Sequence, residues 1–253
     1  MAQFLLASAL VLGGLPQPQS IAQAARQLLV KDGKRQLEAL KNLKSVCRGP
    51  QRHGFRDAGP IEKALSRLAA KADPKRRAEV LAAVMDTSPC FSAARFAPMI
   101  KAQLADTDPA VIAYAAETAG RLNQPEMLPL LLEQLRNWRK PCSAEGLPPT
   151  KVQVCVWLAY APGAVLPNIK DAAKRAEVLS LVLPLLDSAY PKVREVSVET
   201  VAATELAAGI KPLAFLIAKE GKKGGFRTAN SAALVGRFEQ RLQALKKRHQ
   251  PGR

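Results

Sequence analysis

Apolar residues recur along most of this chain at the three- and four-residue spacing of amphipathic helices. One such stripe consists of Leu37, Leu40, Leu43 and Val46. Asp32-Gly33 separates helices predicted over Ile21–Val30 and Lys34–Cys47, and Asp73-Pro74 supplies an N-cap and a first-turn residue for another helix. The pattern predicts an all-α protein.

A second level of order is a repeat. The stretch Asp108–Thr118 corresponds without a gap to Tyr190–Thr200, so that Pro109, Val111 and Glu117-Thr118 recur 82 residues later. The offset is twice 41, which lies within the roughly 40- to 47-residue period of two-helix repeats. Half-way between them, Val152, Val156 and Tyr160 stand where Val111, Ala115 and Ala119 predict them. We therefore expect a stack of helical pairs.

Outside these helices, Pro, Gly and charged residues predict the connections. Asn137–Thr150 is expected to interrupt one repeat as an insertion, and Pro162–Asp171 to form a loop. A last hairpin is predicted from Lys211–Lys219 and Thr228–Arg248, joined by the glycine-rich link at residues 221–225.

The turn residues resemble those of HEAT-like, or armadillo-like, repeat proteins. Their units show Asp, then Pro, then Val-Arg, and Leu104–Val111 matches this pattern except that Ile112 replaces the arginine. Val193-Arg194 keeps the pair, while Asp187 stands one residue too far upstream. The resemblance is clearest over residues 95–210.

This resemblance implies an α-solenoid of about four to six antiparallel helix pairs with a concave partner-binding surface. We expect one such domain over residues 25–253, ending in a basic hairpin over 211–250. Solenoids of this kind are commonly scaffolds for protein–protein interaction.

The amino terminus indicates export. Phe4–Leu15 is an uncharged apolar run, and Ala22-Gln-Ala24 follows as a small-x-small processing site, which predicts a signal peptide over residues 1–24 and a periplasmic or secreted protein. No Lys or Arg precedes the run, however, so the alternative is a cytoplasmic protein whose first helix caps the solenoid. No later run approaches the eighteen or so apolar residues of a transmembrane helix.

Four cysteines fit an exported protein, namely Cys47, Cys90, Cys142 and Cys155. Of the three pairings that four cysteines allow, we favour Cys47–Cys90 with Cys142–Cys155, since the second pair brackets the insertion. In a cytoplasmic protein they would be inert thiols. The Cys-x₂₋₄-Cys spacing of zinc sites is missing and the chain has two histidines, so neither a metal nor another cofactor is expected.

Charge indicates the class of partner. The formal charge is +17, and the excess lies in residues 26–77, 136–175 and 211–253, outside the mildly acidic repeat segments. Such basic surfaces favour an acidic protein, a polyanion or nucleic acid. The candidate partner-binding residues are Arg48, Arg52, Arg56, Trp138, Arg139, Lys140, Lys222, Lys223, Arg227, Arg237 and Arg241.

Candidate catalytic groups are lacking. There is no Gly-x-Ser-x-Gly elbow or P-loop, and neither His53 nor His249 precedes a Glu, as di-iron hydroxylases of this fold require. Glu117 and Glu199 occupy equivalent repeat positions, which favours a structural role for both. The sequence thus predicts a non-enzymatic, exported HEAT-repeat scaffold for an acidic macromolecule. The alternative is a nucleic-acid-binding protein similar to HEAT-like DNA glycosylases, with Trp138 and Trp157 as the aromatic residues.

Overall fold

The computed structural model describes residues 21–48, 59–87, 90, 92–222 and 231–250. Within these ranges it contains twelve α-helices and no strand. The helices are α1 (Ile21–Leu29), α2 (Gly33–Arg48), α3 (Gly59–Lys71), α4 (Pro74–Thr87), α5 (Ala97–Leu104), α6 (Pro109–Arg121), α7 (Leu128–Ser143), α8 (Pro149–Val165), α9 (Ala172–Val182), α10 (Pro191–Ala203), α11 (Ile210–Lys222) and α12 (Ser231–His249). Short 3₁₀ turns lie before α5, α7 and α11 and after α8 and α9.

The helices form two layers. Each odd-numbered helix packs against the even-numbered helix that follows it, and the even-numbered helices pack against one another in order from α2 to α12. The odd-numbered helices do the same from α1 to α9, and α11 contacts the 3₁₀ turn at Leu183–Asp187. Six helix pairs stacked in this way make an α-solenoid, so the predicted fold class is confirmed.

The central even-numbered helices approach one another closely because small residues lie between them. A Cβ added at Gly120 of α6 would lie 3.1 Å from the Cα of Ala161, and one at Gly163 of α8 would lie 2.5 Å from Oγ1 of Thr200. The odd-numbered helices between α3 and α9 pack less extensively against one another. In the middle of the stack, the even-numbered helices are therefore the more closely packed layer.

The repeated stretches begin equivalent helices. Asp108 caps α6, and its carboxylate accepts hydrogen bonds from the backbone N–H groups of Ala110 (2.8 Å) and Val111 (3.3 Å). Tyr190 precedes α10 without a side-chain cap, and α8 lies between the two helices as the 41-residue spacing predicts. The backbone just after each helix is left-handed, at Asn123 (φ 50°) and at Glu205 (φ 58°), again 82 residues apart.

Two predicted connections are wrong in part. The helix α7 continues to Ser143 with Pro141 inside it, so only residues 144–148 connect it to α8, and the predicted insertion at Asn137–Thr150 shrinks accordingly. Buried Cys142 holds this last turn, because its carbonyl accepts a hydrogen bond from the Ser188 hydroxyl at 2.7 Å. The predicted loop at Pro162–Asp171 also begins later than expected, because a helix again continues past a proline.

In that second case, α8 continues through Pro162 to Val165. Pro162 and Gly163 are buried, and Gly163 lies against α10, so tertiary packing keeps the proline in the helix. A proline removes one helical hydrogen bond, and burial of its apolar neighbours offsets that cost.

Two disulfides tie neighbouring elements together. Cys47 of α2 bonds to Cys90, and Cys142 of α7 bonds to Cys155 of α8, with Cα–Cα distances of 5.5 and 5.4 Å. These are the two pairs favoured by the cysteine spacing. The second one fixes the end of α7 to α8 across the short connection.

Several sequence predictions fall beyond the described ranges. Most of the predicted signal peptide (residues 1–20) does so, and its processing site at Ala22–Ala24 lies in the first turn of α1. Signal-peptide cleavage therefore stays a prediction. In the ranges that the structure describes, no helix has both the length and the apolar character needed to cross a membrane.

Candidate functional site

Among the described residues, the partner-binding candidates predicted from sequence lie in two different layers. Arg139 and Lys140 are exposed at the end of α7, in the odd-numbered layer, whereas half-buried Trp138 packs against the core. Arg237 and Arg241 lie on α12, in the even-numbered layer. Arg52, Arg56, Lys223 and Arg227 lie outside the described residues, as do the side chains of Arg48 and Lys222.

A groove crosses the C-terminal halves of five even-numbered helices, from α4 to α12. One of its hollows, of about 780 Å³, lies between α4, α6 and α8, and a second, of about 290 Å³, lies between α8, α10 and α12. Tyr160 and Ala164 line both hollows, so the two are adjacent. We call this surface the even-helix groove.

On the α6 side of the groove, a buried carboxylate holds an exposed arginine. The Nε of Arg121 lies 2.8 Å from Oε1 of Glu117, and the arginine side chain is 56% exposed against 11% for the glutamate. The carboxylate therefore lies on the floor and the guanidinium on the rim. Nearby Asp86 is paired in the same manner with the more exposed Lys44, at 2.6 Å.

On the α12 side, three arginines repeat this arrangement with carboxylates of α10 and its C-terminal turn. In each pair the arginine is the more exposed partner. The pairs are Arg237 with Glu195 (3.4 Å), Arg241 with Glu199 (2.9 Å) and Arg248 with Glu205. Of these three arginines, Arg241 and Arg248 line the smaller hollow, so the rim of the groove carries guanidinium groups from both α6 and α12.

Between these two rims, α8 contributes Tyr160, Gly163 and Ala164 to the groove, and Trp157 packs beside Tyr160. The rings of Trp157 and Tyr160 on α8 pack edge to face with centroids 5.6 Å apart. The guanidinium carbon of Arg121 also lies 5.6 Å from the Trp157 ring centroid, a cation–π distance. After Lys151, α8 carries no charged residue, so its contribution to the groove is uncharged.

Burial raises the pKa of Glu117, and the negative charge of Asp86 adds to this effect. The positive charge of Arg121 and its hydrogen bond act in the opposite direction and lower the pKa, but the burial effect is larger. Ionised Glu117 is thus held in place by Arg121 at a net cost to the folded state.

Replacing Glu117 by glutamine should therefore change the pH dependence of stability. Because the folded-state pKa is raised, the wild-type protein loses stability relative to Glu117→Gln as pH rises from the ordinary glutamate value through the raised one. We expect the Tm of the variant minus that of the wild type to be greater at neutral pH than at about pH 4. Exposed Glu133→Gln on α7 is the matched control, and an equal pH trend in both variants would contradict this account of Glu117.

The arrangement is suited to binding. Among the residues that the structure describes, no group of three His, Cys, Asp or Glu side chains converges to hold a metal ion. Glu117 and Glu199 lie where the repeat predicts them, and each positions an arginine, the first within α6 and the second across α10 and α12. Arg121 and Tyr160 were not among the binding residues predicted from the sequence, and Arg248 was included only as the end of the basic C-terminal hairpin. The spacing of charged residues could have indicated the ion pairs of α12. Glu195 and Glu199 each precede their arginine partner by 42 residues, which is about one repeat.

Comparisons with known proteins identify the fold. No protein-family model matches the chain, and no curated protein matches it. Among solved structures, an engineered protein aligns with 15% identity and a TM-score of 0.56 over 90% of this chain and 98% of its own. A second engineered protein aligns with 16% identity and a TM-score of 0.59 over 90% of this chain and 58% of its own.

A third similar structure is a designed armadillo repeat protein in complex with peptide (KR)4. It is 16% identical, with a TM-score of 0.55, over 88% of this chain and 100% of its own. These identities are low, so the similarity concerns the fold, and it agrees with the two-layered stack of six helix pairs. The chain therefore has the fold of a helical-repeat solenoid, similar to that of the designed armadillo repeat protein.

Proposed function

We propose that this protein is a non-enzymatic scaffold that binds an acidic segment of a partner protein in the even-helix groove. The observation that carries the proposal is the set of three rim arginines, Arg121, Arg241 and Arg248, each held by a carboxylate that is less exposed than the arginine itself. This assignment moves the binding surface away from Arg139 and Lys140, and it retains Arg241, with Arg237 one turn away on the same helix.

The carboxylates prepare the arginines for a ligand. A guanidinium has five N–H donors in a fixed plane, and one carboxylate engages at most two of them. The remaining donors are free to bind Asp or Glu side chains of a partner. Because Arg121 is already held by Glu117 and Trp157, little additional side-chain freedom is lost on binding.

The groove matches an extended segment in length. From α6 to α12 there are three steps between neighbouring even-numbered helices, and helices pack roughly 8–10 Å apart, which gives about 24–30 Å. An extended chain advances about 3.3 Å per residue, so roughly eight residues reach from Arg121 to the arginines of α12.

The fold is compatible with a charged peptide ligand. The designed armadillo repeat protein of similar fold is in complex with peptide (KR)4. In each rim ion pair the guanidinium is more exposed than its carboxylate, and the whole chain carries +17, so we assign a negative charge to the ligand.

We further propose that the scaffold acts in the periplasm or outside the cell. The apolar run and processing site within residues 1–24 support export, and two disulfides favour an oxidising compartment. The intact mass of the protein from its own cells, before and after reduction, should show loss of about the first two dozen residues and two disulfides. A full-length, fully reduced protein would contradict export.

The binding proposal predicts a particular selectivity among charged probes. Fluorescein-labelled octaglutamate should bind the protein and octalysine should not, as measured by fluorescence anisotropy. Affinity for octaglutamate should fall between about 50 mM and about 300 mM NaCl, because salt screens exposed charges. A short DNA duplex that binds more tightly than octaglutamate would favour the alternative, a nucleic-acid-binding protein. Equal binding of both peptides would contradict both functions.

A further inference from the structure

The smaller hollow of the even-helix groove has a shape and a lining that differ from the rest of it. It lies between α8, α10 and α12 and encloses about 290 Å³. Its walls are mostly small and apolar, with Ala164, Ala202 and Ala244 contributed by three different helices and Tyr160 at one side. The small side chains leave room that a larger residue at any of these positions would fill.

The most buried residue on the floor of this hollow is Thr200, and its polar group is already hydrogen-bonded within the protein. The Thr200 hydroxyl is buried and donates a hydrogen bond to the carbonyl of Ala159 at 2.6 Å. Gly163, which contacts Thr200, has no side chain. A polar ligand group would therefore find no partner on the floor formed by Thr200 and Gly163, whereas an apolar group placed there would gain by burial.

Two ion pairs border the hollow. Arg241 with Glu199 and Arg248 with Glu205 both line it, and in both pairs the guanidinium is the more exposed group. A ligand that fills the apolar centre is thus flanked by donors suited to carboxylates.

We propose that this hollow binds one large apolar side chain, flanked by Asp or Glu residues, from the acidic segment of the partner. The inference rests on the proposed function, because it specifies which sequence the even-helix groove prefers. Phenylalanine suits the site well, since its ring can pack edge to face on Tyr160. Charge alone would select acidic peptides in general, and the hollow adds selectivity for one position.

Two nonapeptides test this preference. One has phenylalanine at the centre of an otherwise all-glutamate sequence, and the other has serine there. We expect the phenylalanine peptide to bind about tenfold more tightly in fluorescence anisotropy, which corresponds to partial burial of one aromatic side chain. Ala244→Trp, at an exposed position on α12, should fill the hollow and bring this ratio towards one.

A control and a second variant keep the test decisive. Ala102→Trp, at an exposed position of α5, should retain the tenfold ratio, and Ala202→Leu on α10 should abolish it as Ala244→Trp does. Equal affinities of the two peptides for the wild-type protein would show that the hollow does not bind an apolar side chain. The proposal that the groove binds an acidic segment would not be affected. A preference for the phenylalanine peptide that persists in both Ala244→Trp and Ala202→Leu would also contradict binding in the hollow. If neither peptide binds the wild-type protein, the proposed function is contradicted as well.

Discussion

Replacing Gly163 by alanine should destabilise the protein by roughly 2–3 kcal/mol, the usual range for overpacking a tight contact. The new Cβ would lie 2.5 Å from Oγ1 and 2.9 Å from Cα of Thr200. Oγ1 is held by its hydrogen bond to Ala159, and Cα is backbone, so neither can yield easily. The helices α8 and α10 must therefore separate, and the close packing of the even-numbered layer is lost there.

Gly236→Ala is the matched control. Gly236 lies within α12, and an added Cβ there would meet nothing within 4 Å. Since glycine is about 1 kcal/mol less favourable than alanine in a helix, this variant should be stabilised by up to that amount. Urea denaturation of the two variants measures both changes. If Gly163→Ala is as stable as the wild-type protein, the close contact of α8 with α10 is wrong.

The architecture was predictable because each repeat marks its own turns. Asp108-Pro109 and Pro191 both start helices where the local chemistry of caps and first turns requires it. The repeat of 41 residues then places α8 between them even though its own match is weaker. Local signals and periodicity agree here, and agreement of this kind specifies a fold.

The helix boundaries were less predictable, since they depend on contacts that are distant in sequence. Pro141 and Pro162 lie inside α7 and α8, although a proline usually ends a helix. Buried Cys142 and Gly163, packed against residues more than a dozen positions away, keep these turns helical. Nothing within the local sequence window reports those contacts.

The even-helix groove was only partly predictable. The charge along the sequence pointed to the basic ends of the chain as binding surfaces. Arg121 was not predicted, because it belongs to a segment whose net charge is negative. Its importance arises from its place on the rim, beside Trp157 and above Glu117. Arg237 and Arg241 were chosen for their charge, and the structure adds that carboxylates of α10 hold both.

Replacing two rim arginines by glutamine should weaken octaglutamate binding by roughly 10- to 30-fold. The variant is Arg121→Gln with Arg241→Gln, one residue from each side of the even-helix groove. Each exposed, charge-assisted hydrogen bond contributes about 1 kcal/mol, so the loss of two gives this range. Stability should fall at neutral pH, because Arg121→Gln leaves the buried carboxylate of Glu117 without its cation, so circular dichroism should first establish that both double variants are folded under the binding conditions.

Arg139→Gln with Lys140→Gln removes the same formal charge from α7, where both residues are exposed in the odd-numbered layer. Long-range attraction is screened beyond about 8–10 Å at ordinary salt, so this pair should weaken binding by no more than about twofold. The two double variants thus separate a specific groove from general positive charge.

The most direct test of the account is the Kd of octaglutamate for these two double variants, measured by anisotropy in one buffer. Binding in the even-helix groove predicts a large loss for Arg121→Gln with Arg241→Gln and a near wild-type Kd for the α7 variant. Equal losses, or a larger loss for the α7 variant, would contradict it and place the acidic ligand elsewhere.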